Sequence, residues 1–222
     1  MENNHVSFWG RTLDEYTKMF SLSDLSPRTK ILSIADGPST FNLELKRNGV
    51  HVVSVDPVYK LPIEKLRACF EESYLFNREF FYTYPEKFNL KNNDEVEGLL
   101  SKRRRTFETF IDDYTQHPSN YQFGKLPLLK FSDKSFDLCL CSNFLFLFEH
   151  LFDLEFHLTS TRELLRIATE IRIFPLYNNN GEPSKHLEPV TTFLSENNYK
   201  WIIEPNDYHV YKNGNKFLKV FS

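Results

Sequence analysis

Apolar residues fall in short runs along the chain, and turn signals separate them. Residues 30–35 are a brief Ile/Leu run that reads as a strand and ends at Gly37-Pro38. Residues 39–47 then read as a helix, with Phe41, Leu43 and Leu45 loosely periodic and Asn48-Gly49 as its C-cap. Residues 51–55 are Val-rich and end in Asp56-Pro57. Two strands joined by so short a helix imply a parallel βαβ unit with a right-handed crossover. Upstream, residues 12–20 predict a helix: Thr12 is a natural N-cap, Glu15 completes a capping box, and Leu13, Tyr16 and Phe20 share one face. Such a helix either packs beside the sheet, which the pattern favours, or acts as a lid that brings Tyr16 or Met19 to a ligand.

The next strand is delayed. Residues 60–119 intervene, far more than an ordinary connection, and two helices are expected there, at 61–76 and 94–114. In the second, Val96, Leu99, Leu100, Phe107, Phe110, Ile111 and Tyr114 form a stripe at 3.6-residue spacing, acids open the helix, and Pro118 ends it. This stretch reads as a helical insertion over a ligand mouth. The run Lys102–Arg105 is a solvated face except for Arg103, which falls inside the apolar stripe and needs an anionic partner, a nearby acid or a group on the substrate. Residues 136–141 are apolar on both faces, as a central parallel strand is. A helix at 156–167 follows, in which His157 reads as a hydrogen-bonded structural residue. Residues 170–176 read as a fifth strand and 184–195 as another helix. Strand-like runs at 199–203, 207–211 and 216–221 close the chain, with Asn213-Gly214 as a hairpin signal between the last two.

Composition narrows the class. The 222 residues are 41% hydrophobic and 16% aromatic, with 22 Phe, which is globular and suits one domain. A net charge of −3 offers no nucleic-acid footprint. Cys69, Cys139 and Cys141 lack metal-type spacing and suggest free thiols in a reducing compartment. The first ten residues carry no secretory pattern, and no run approaches the ~20 apolar residues of a membrane span. The expectation is a soluble, cytoplasmic protein.

Candidate chemistry gathers where parallel strands end, since ligands of such sheets bind beyond the carboxyl ends. Those ends carry Ala35-Asp36-Gly37-Pro38-Ser39 and Asp56. A turn of small residues admits a ligand to the backbone, and an acid after the next strand can accept from two ribose hydroxyls.

The stretch Ile31-Leu32-Ser33-Ile34-Ala35-Asp36-Gly37-Pro38-Ser39 resembles the first motif of class I S-adenosylmethionine (SAM)-dependent methyltransferases. Gly37-Pro38 matches the middle of that motif, Ala35 and Ser39 stand at its outer glycines, and Ser33 replaces its usual acid. Leu129-Lys130-Phe131-Ser132-Asp133-Lys134-Ser135-Phe136-Asp137-Leu138-Cys139-Leu140 is similar to a second segment of the family. The resemblance implies an α/β fold: a mainly parallel, seven-stranded Rossmann-like sheet between helices, closed by an antiparallel hairpin, in a single domain spanning 1–222. It implies SAM as cofactor, a small-molecule acceptor, and binding residues Ala35, Asp36, Gly37, Pro38, Ser39, Asp56, Pro57, Lys125, Leu126, Ser142 and Asn143. Gly124–Leu126 would lie near the adenine, with Lys125 where an Asp is usual, and Ser142 and Asn143 beside the sulfur. Phe144, Phe146 and Phe148 either wall the acceptor pocket or belong to the core. In methyl transfer the protein mainly aligns donor and acceptor, so no catalytic dyad or metal cluster is required and no base is assigned. The alternatives are a non-catalytic SAM-fold binding protein and an NAD-dependent oxidoreductase. The latter is disfavoured because Gly-x-Gly-x-x-Gly is absent: positions 35, 37 and 40 are Ala, Gly and Thr.

Overall fold

A computed structural model describes residues 6–23, 25–212 and 214–221. Helix α1 (Leu13–Phe20) precedes the βαβ unit of β1 (Lys30–Ile34), α2 (Phe41–Arg47) and β2 (His51–Asp56). The insertion follows as α3 (Ile63–Thr83) and α4 (Asn93–Gln116). Then come β3 (Tyr121–Phe123), β4 (Phe136–Ser142), α5 (Leu154–Ile167), β5 (Ala168–Phe174), α6 (Leu187–Glu196), β6 (Lys200–Pro205) and β7 (Lys216–Phe221).

The seven strands lie in the order β3-β2-β1-β4-β5-β7-β6. β3, β2, β1, β4 and β5 pair in parallel, and β7 runs antiparallel to both β5 and β6. Alternation decides which face each side chain takes. Leu32 and Ile34 of β1 join Cys139 and Cys141 of β4 in the layer that α5 and α6 cover. Ile31 joins Leu138 and Leu140 in the opposite layer, against Tyr16, Met19 and Phe20 of α1 and Phe41 and Leu45 of α2. The two strand cysteines are thus buried small hydrophobes with free thiols. Among the described residues no helix is long and apolar enough to cross a membrane.

The insertion has its own aromatic core. Phe70 of α3 stacks on Phe107 of α4 at 4.1 Å between centroids, and Phe110, Ile111, Tyr59 and Tyr121 complete the cluster. The buried face of α4 is the expected stripe, with Arg103 inside it. α3 runs seven residues beyond the expected end at 76, because Phe81 packs into a second cluster with Phe88, Val96 and Leu100.

The closing hairpin differs from expectation in its partner. β6 at Lys200–Pro205, not the run 207–211, pairs with β7, from Lys200↔Phe221 to Pro205↔Lys216. Asn213, the centre of the expected turn, lies outside the described residues. The run 207–211 leaves the sheet because it is tied to the body: Asn89 N–H donates to the Val210 carbonyl at 2.9 Å, and buried Tyr208 reaches Arg103 at 3.2 Å. Asn206 fixes the departure, with its side-chain amide on the Met19 carbonyl at 3.0 Å.

Candidate functional site

The turn after β1 carries two residues in the left-handed region, Ala35 and Gly37, both with φ of 55°. A Cβ on Gly37 would meet no atom within 4 Å, so its exposed face opens onto free space. Ala35 adopts the same conformation with a methyl group, at a cost of about 1 kcal/mol relative to glycine. The turn is fastened from both sides. Gly37 N–H donates to Asp56 Oδ2 at 3.0 Å, and the Tyr59 hydroxyl donates to the Gly37 carbonyl at 2.6 Å.

Asp36 supplies a carboxylate next to Ser33, where the methyltransferase motif has its acid. It is buried and accepts from the Ser33 hydroxyl at 2.9 Å, the Tyr16 hydroxyl at 2.5 Å and the Ser54 hydroxyl. Burial raises its pKa, and the three hydroxyls only partly offset this. Ser33 and Ser54 are register partners on β1 and β2, so strand pairing places both donors.

Asp56 ends β2. Its Oδ1 caps the following 3-10 turn by accepting from Val58 N–H at 2.9 Å, while Oδ2 holds Gly37. Burial pushes its carboxyl up to about 6, against the pull of those two N–H groups, and the charge of Asp36 adds to the rise.

A cavity of about 420 Å³ lies across these strand ends. Of the eleven residues named from sequence, Ala35, Asp36, Gly37, Asp56, Pro57, Lys125, Leu126, Ser142 and Asn143 line it. Pro38 and Ser39 do not. The N-terminal segment lies over them: a Cβ on Gly10 would stand 1.9 Å from the Pro38 carbonyl oxygen, and the Ser39 hydroxyl donates to the Arg11 carbonyl at 2.7 Å. The insertion forms part of the wall, through Phe76, Phe80 and Phe81 of α3 and Leu99 and Arg103 of α4. After β4, Phe144 and Phe148 line the cavity, whereas Phe146 is fully buried in the core. α1 packs beside the sheet as expected, with Tyr16 stacked on Phe41 at 4.1 Å, and Tyr16 also lines the cavity.

Arg103 points inward and is 1% exposed. It grips Glu15 with two bonds, of 2.7 and 2.5 Å. Burial alone would raise the Glu15 carboxyl, but Arg103, with Arg11 and Lys102, outweighs it and holds the group well below the usual carboxylate range. His157 is buried away from the cavity, with Nδ1 2.7 Å from the Asp153 carbonyl and Nε2 2.8 Å from the Leu145 carbonyl. Sequence reasoning missed Trp9, Arg11, Tyr208 and Tyr211, all of which line the cavity. Trp9 and Arg11 sit in a segment without periodicity, and Tyr208 and Tyr211 in a run that reads as a strand, so no pattern marked them for the cavity.

No family model matches the chain. The uncharacterised protein MJ0045 of Methanocaldococcus jannaschii is 34% identical over 212 residues, covering 95% of this chain and 94% of that protein. Among solved structures, magnesium protoporphyrin IX methyltransferase of Synechocystis PCC 6803 with bound SAH superposes at a TM-score of 0.52. The identity is 11%, over 94% of this chain and 80% of that one. The same enzyme with bound SAM gives 0.51 at 10% identity, over 94% and 77%. The chain therefore belongs to one family with MJ0045 of M. jannaschii and is built on the class I, Rossmann-like SAM-dependent methyltransferase fold.

Proposed function

We propose that this protein transfers a methyl group from SAM to a small-molecule acceptor. One observation carries the reading: a cavity across the carboxyl ends of β1, β2 and β4 that brings an open glycine turn and a strand-end carboxylate to one wall and aromatic side chains to another. The similar fold of a SAM- and SAH-bound methyltransferase supports it.

The residues present fit the cofactor. Gly37 leaves the space a side chain would fill. Asp56 offers acceptor lone pairs to two vicinal ribose hydroxyls, while Asp36 with its three hydroxyl donors is poised near the amino-acid end. Lys125 and Leu126 would flank the adenine, and Ser142 and Asn143 the sulfur. Bound SAM supplies an electrophilic methyl group on a sulfonium centre. The chain's part is then to hold the acceptor in line with that methyl group and to keep water out. α3 and α4 would do the second job, since Phe76, Phe80 and Phe81 of α3 and Leu99 of α4 line the cavity. The aromatic chamber beyond the strand ends favours catalysis over mere nucleoside binding, which would not need it. Free thiols on Cys69, Cys139 and Cys141 fit a cytoplasmic setting.

Native mass spectrometry of the purified protein, before and after adding SAM, tests the reading. A 1:1 complex with SAM or its demethylated product is expected. A protein that takes up NAD and refuses SAM would refute it.

A further inference from the structure

Two buried guanidinium groups, Arg11 and Arg103, line the cavity at 8% and 1% exposure. Glu15 feels both charges, but its two oxygens are engaged by Arg103, and Lys102 approaches it at 3.4 Å as well. Among the described residues the Arg11 guanidinium makes one hydrogen bond, from Nη1 to the Trp9 carbonyl at 3.0 Å. Its Nε is buried without a partner, as is the Nε of Arg103. Among the described residues, no carboxylate stands within ion-pair distance of Arg11. A guanidinium taken out of water without an anion is costly, and its planar fork fits a carboxylate.

The position of Arg11 says which part of the cavity this charge serves. Its guanidinium donates to the Trp9 carbonyl, and Trp9 and Tyr211 pack against one aromatic cluster; its charge also partly offsets the effect of burial on the Tyr177 and Tyr211 hydroxyls. Those rings belong to the cluster of Leu147, Phe148, Phe144 and Phe152, beyond β4. The acid pole, Asp36 and Asp56, lies on the strand-end wall. Arg11 thus stands beside the aromatic rings of the cavity, whose walls also carry Glu72 and Glu149.

We propose that Arg11 is the receptor for a carboxylate on the methyl acceptor, which makes the acceptor an apolar, aromatic acid. The inference rests on the cofactor reading above for where the acceptor lies. The chain's other source of such a carboxylate would be the methionine end of the cofactor itself, and the experiment separates the two.

Protein saturated with S-adenosylhomocysteine is titrated with 2-naphthoate and with neutral 2-naphthamide, by calorimetry. Arg11→Met and Arg11→Lys are run alongside, each with a melting curve; the lysine variant keeps the charge should the methionine variant not fold. Wild type should prefer the acid by about 10- to 100-fold, as a charge-assisted pair does. The preference should vanish in Arg11→Met and partly return in Arg11→Lys, with S-adenosylhomocysteine affinity unchanged throughout. Equal binding of acid and amide to wild type overturns the proposal. So does a loss of S-adenosylhomocysteine affinity in Arg11→Met while 5′-methylthioadenosine, which has no carboxylate, binds normally; Arg11 would then hold the cofactor. Failure of wild type to bind S-adenosylhomocysteine strikes the cofactor reading instead, and the acid-against-amide comparison on ligand-free protein still decides the role of Arg11.

Discussion

Asp56 carries the sharpest consequence at the scale of one residue. Its carboxyl titrates near 6 in the fold against 3.8 when unperturbed, because burial outweighs the N–H groups of Val58 and Gly37. The folded chain therefore binds more protons than the unfolded one between those values. The group's contribution to stability is greatest below about pH 4 and declines as pH rises to about 6. In the proposed complex ligand binding runs the other way, since ribose hydroxyls would donate to the ionised form. S-adenosylhomocysteine affinity should be flat above pH 6 and fall about tenfold per pH unit below it, and Asp56→Asn should abolish that slope. Calorimetry from pH 5 to 8 checks this; an unchanged slope in the variant would separate the pH effect from Asp56. This residue was legible because a chain stop, Pro57, follows an acid at a strand end. Arg11 was not, since its importance lies in what surrounds it and no spacing encodes that.

Between elements, the Glu15–Arg103 pair locks α1 to the insertion helix α4 across 88 residues of sequence. Such a lock keeps the roof in place over the cavity. Arg103→Met leaves Glu15 buried and short of partners, a loss of about 3–5 kcal/mol, with Lys102 at 3.4 Å holding it toward the lower end. The melting temperature should drop by on the order of 10 °C. Adding Glu15→Leu should recover much of that, since an apolar pair of similar volume avoids the desolvation cost. A double-mutant cycle by thermal melts measures the coupling, and two independent, additive effects would contradict the lock. The stripe of α4 announced an inward Arg103 from sequence, because one basic residue stood in an apolar row. Its partner could not be read, as no local pattern links residues 15 and 103. The hairpin strand went astray for a related reason. The run 207–211 has strand-like composition, but Tyr208 and Asn206 gain more from Arg103 and the Met19 carbonyl than from a ladder.

At the scale of the molecule, the sheet order follows from the βαβ unit, the doubly apolar β4 and the antiparallel β7. Periodicity reports such features well, because each strand's burial dictates its composition. β3 escaped notice since three residues, only Tyr121 of them buried, leave almost no pattern. The cavity belongs to the whole chain: strand ends, insertion, N-terminal segment and the 206–211 connection all contribute walls. The proposed cofactor grip joins Gly37 and Asp56, and calorimetric titration of S-adenosylhomocysteine into wild type and Asp56→Ala, with a melting curve for each, tests it. The account predicts 1:1 binding to wild type and about 10- to 100-fold weaker binding to a folded Asp56→Ala protein. The loss of the cap on Val58 should lower its stability by only ~0.5–2 kcal/mol. Wild-type affinity in a well-folded Asp56→Ala protein, or no binding to wild type, would contradict it.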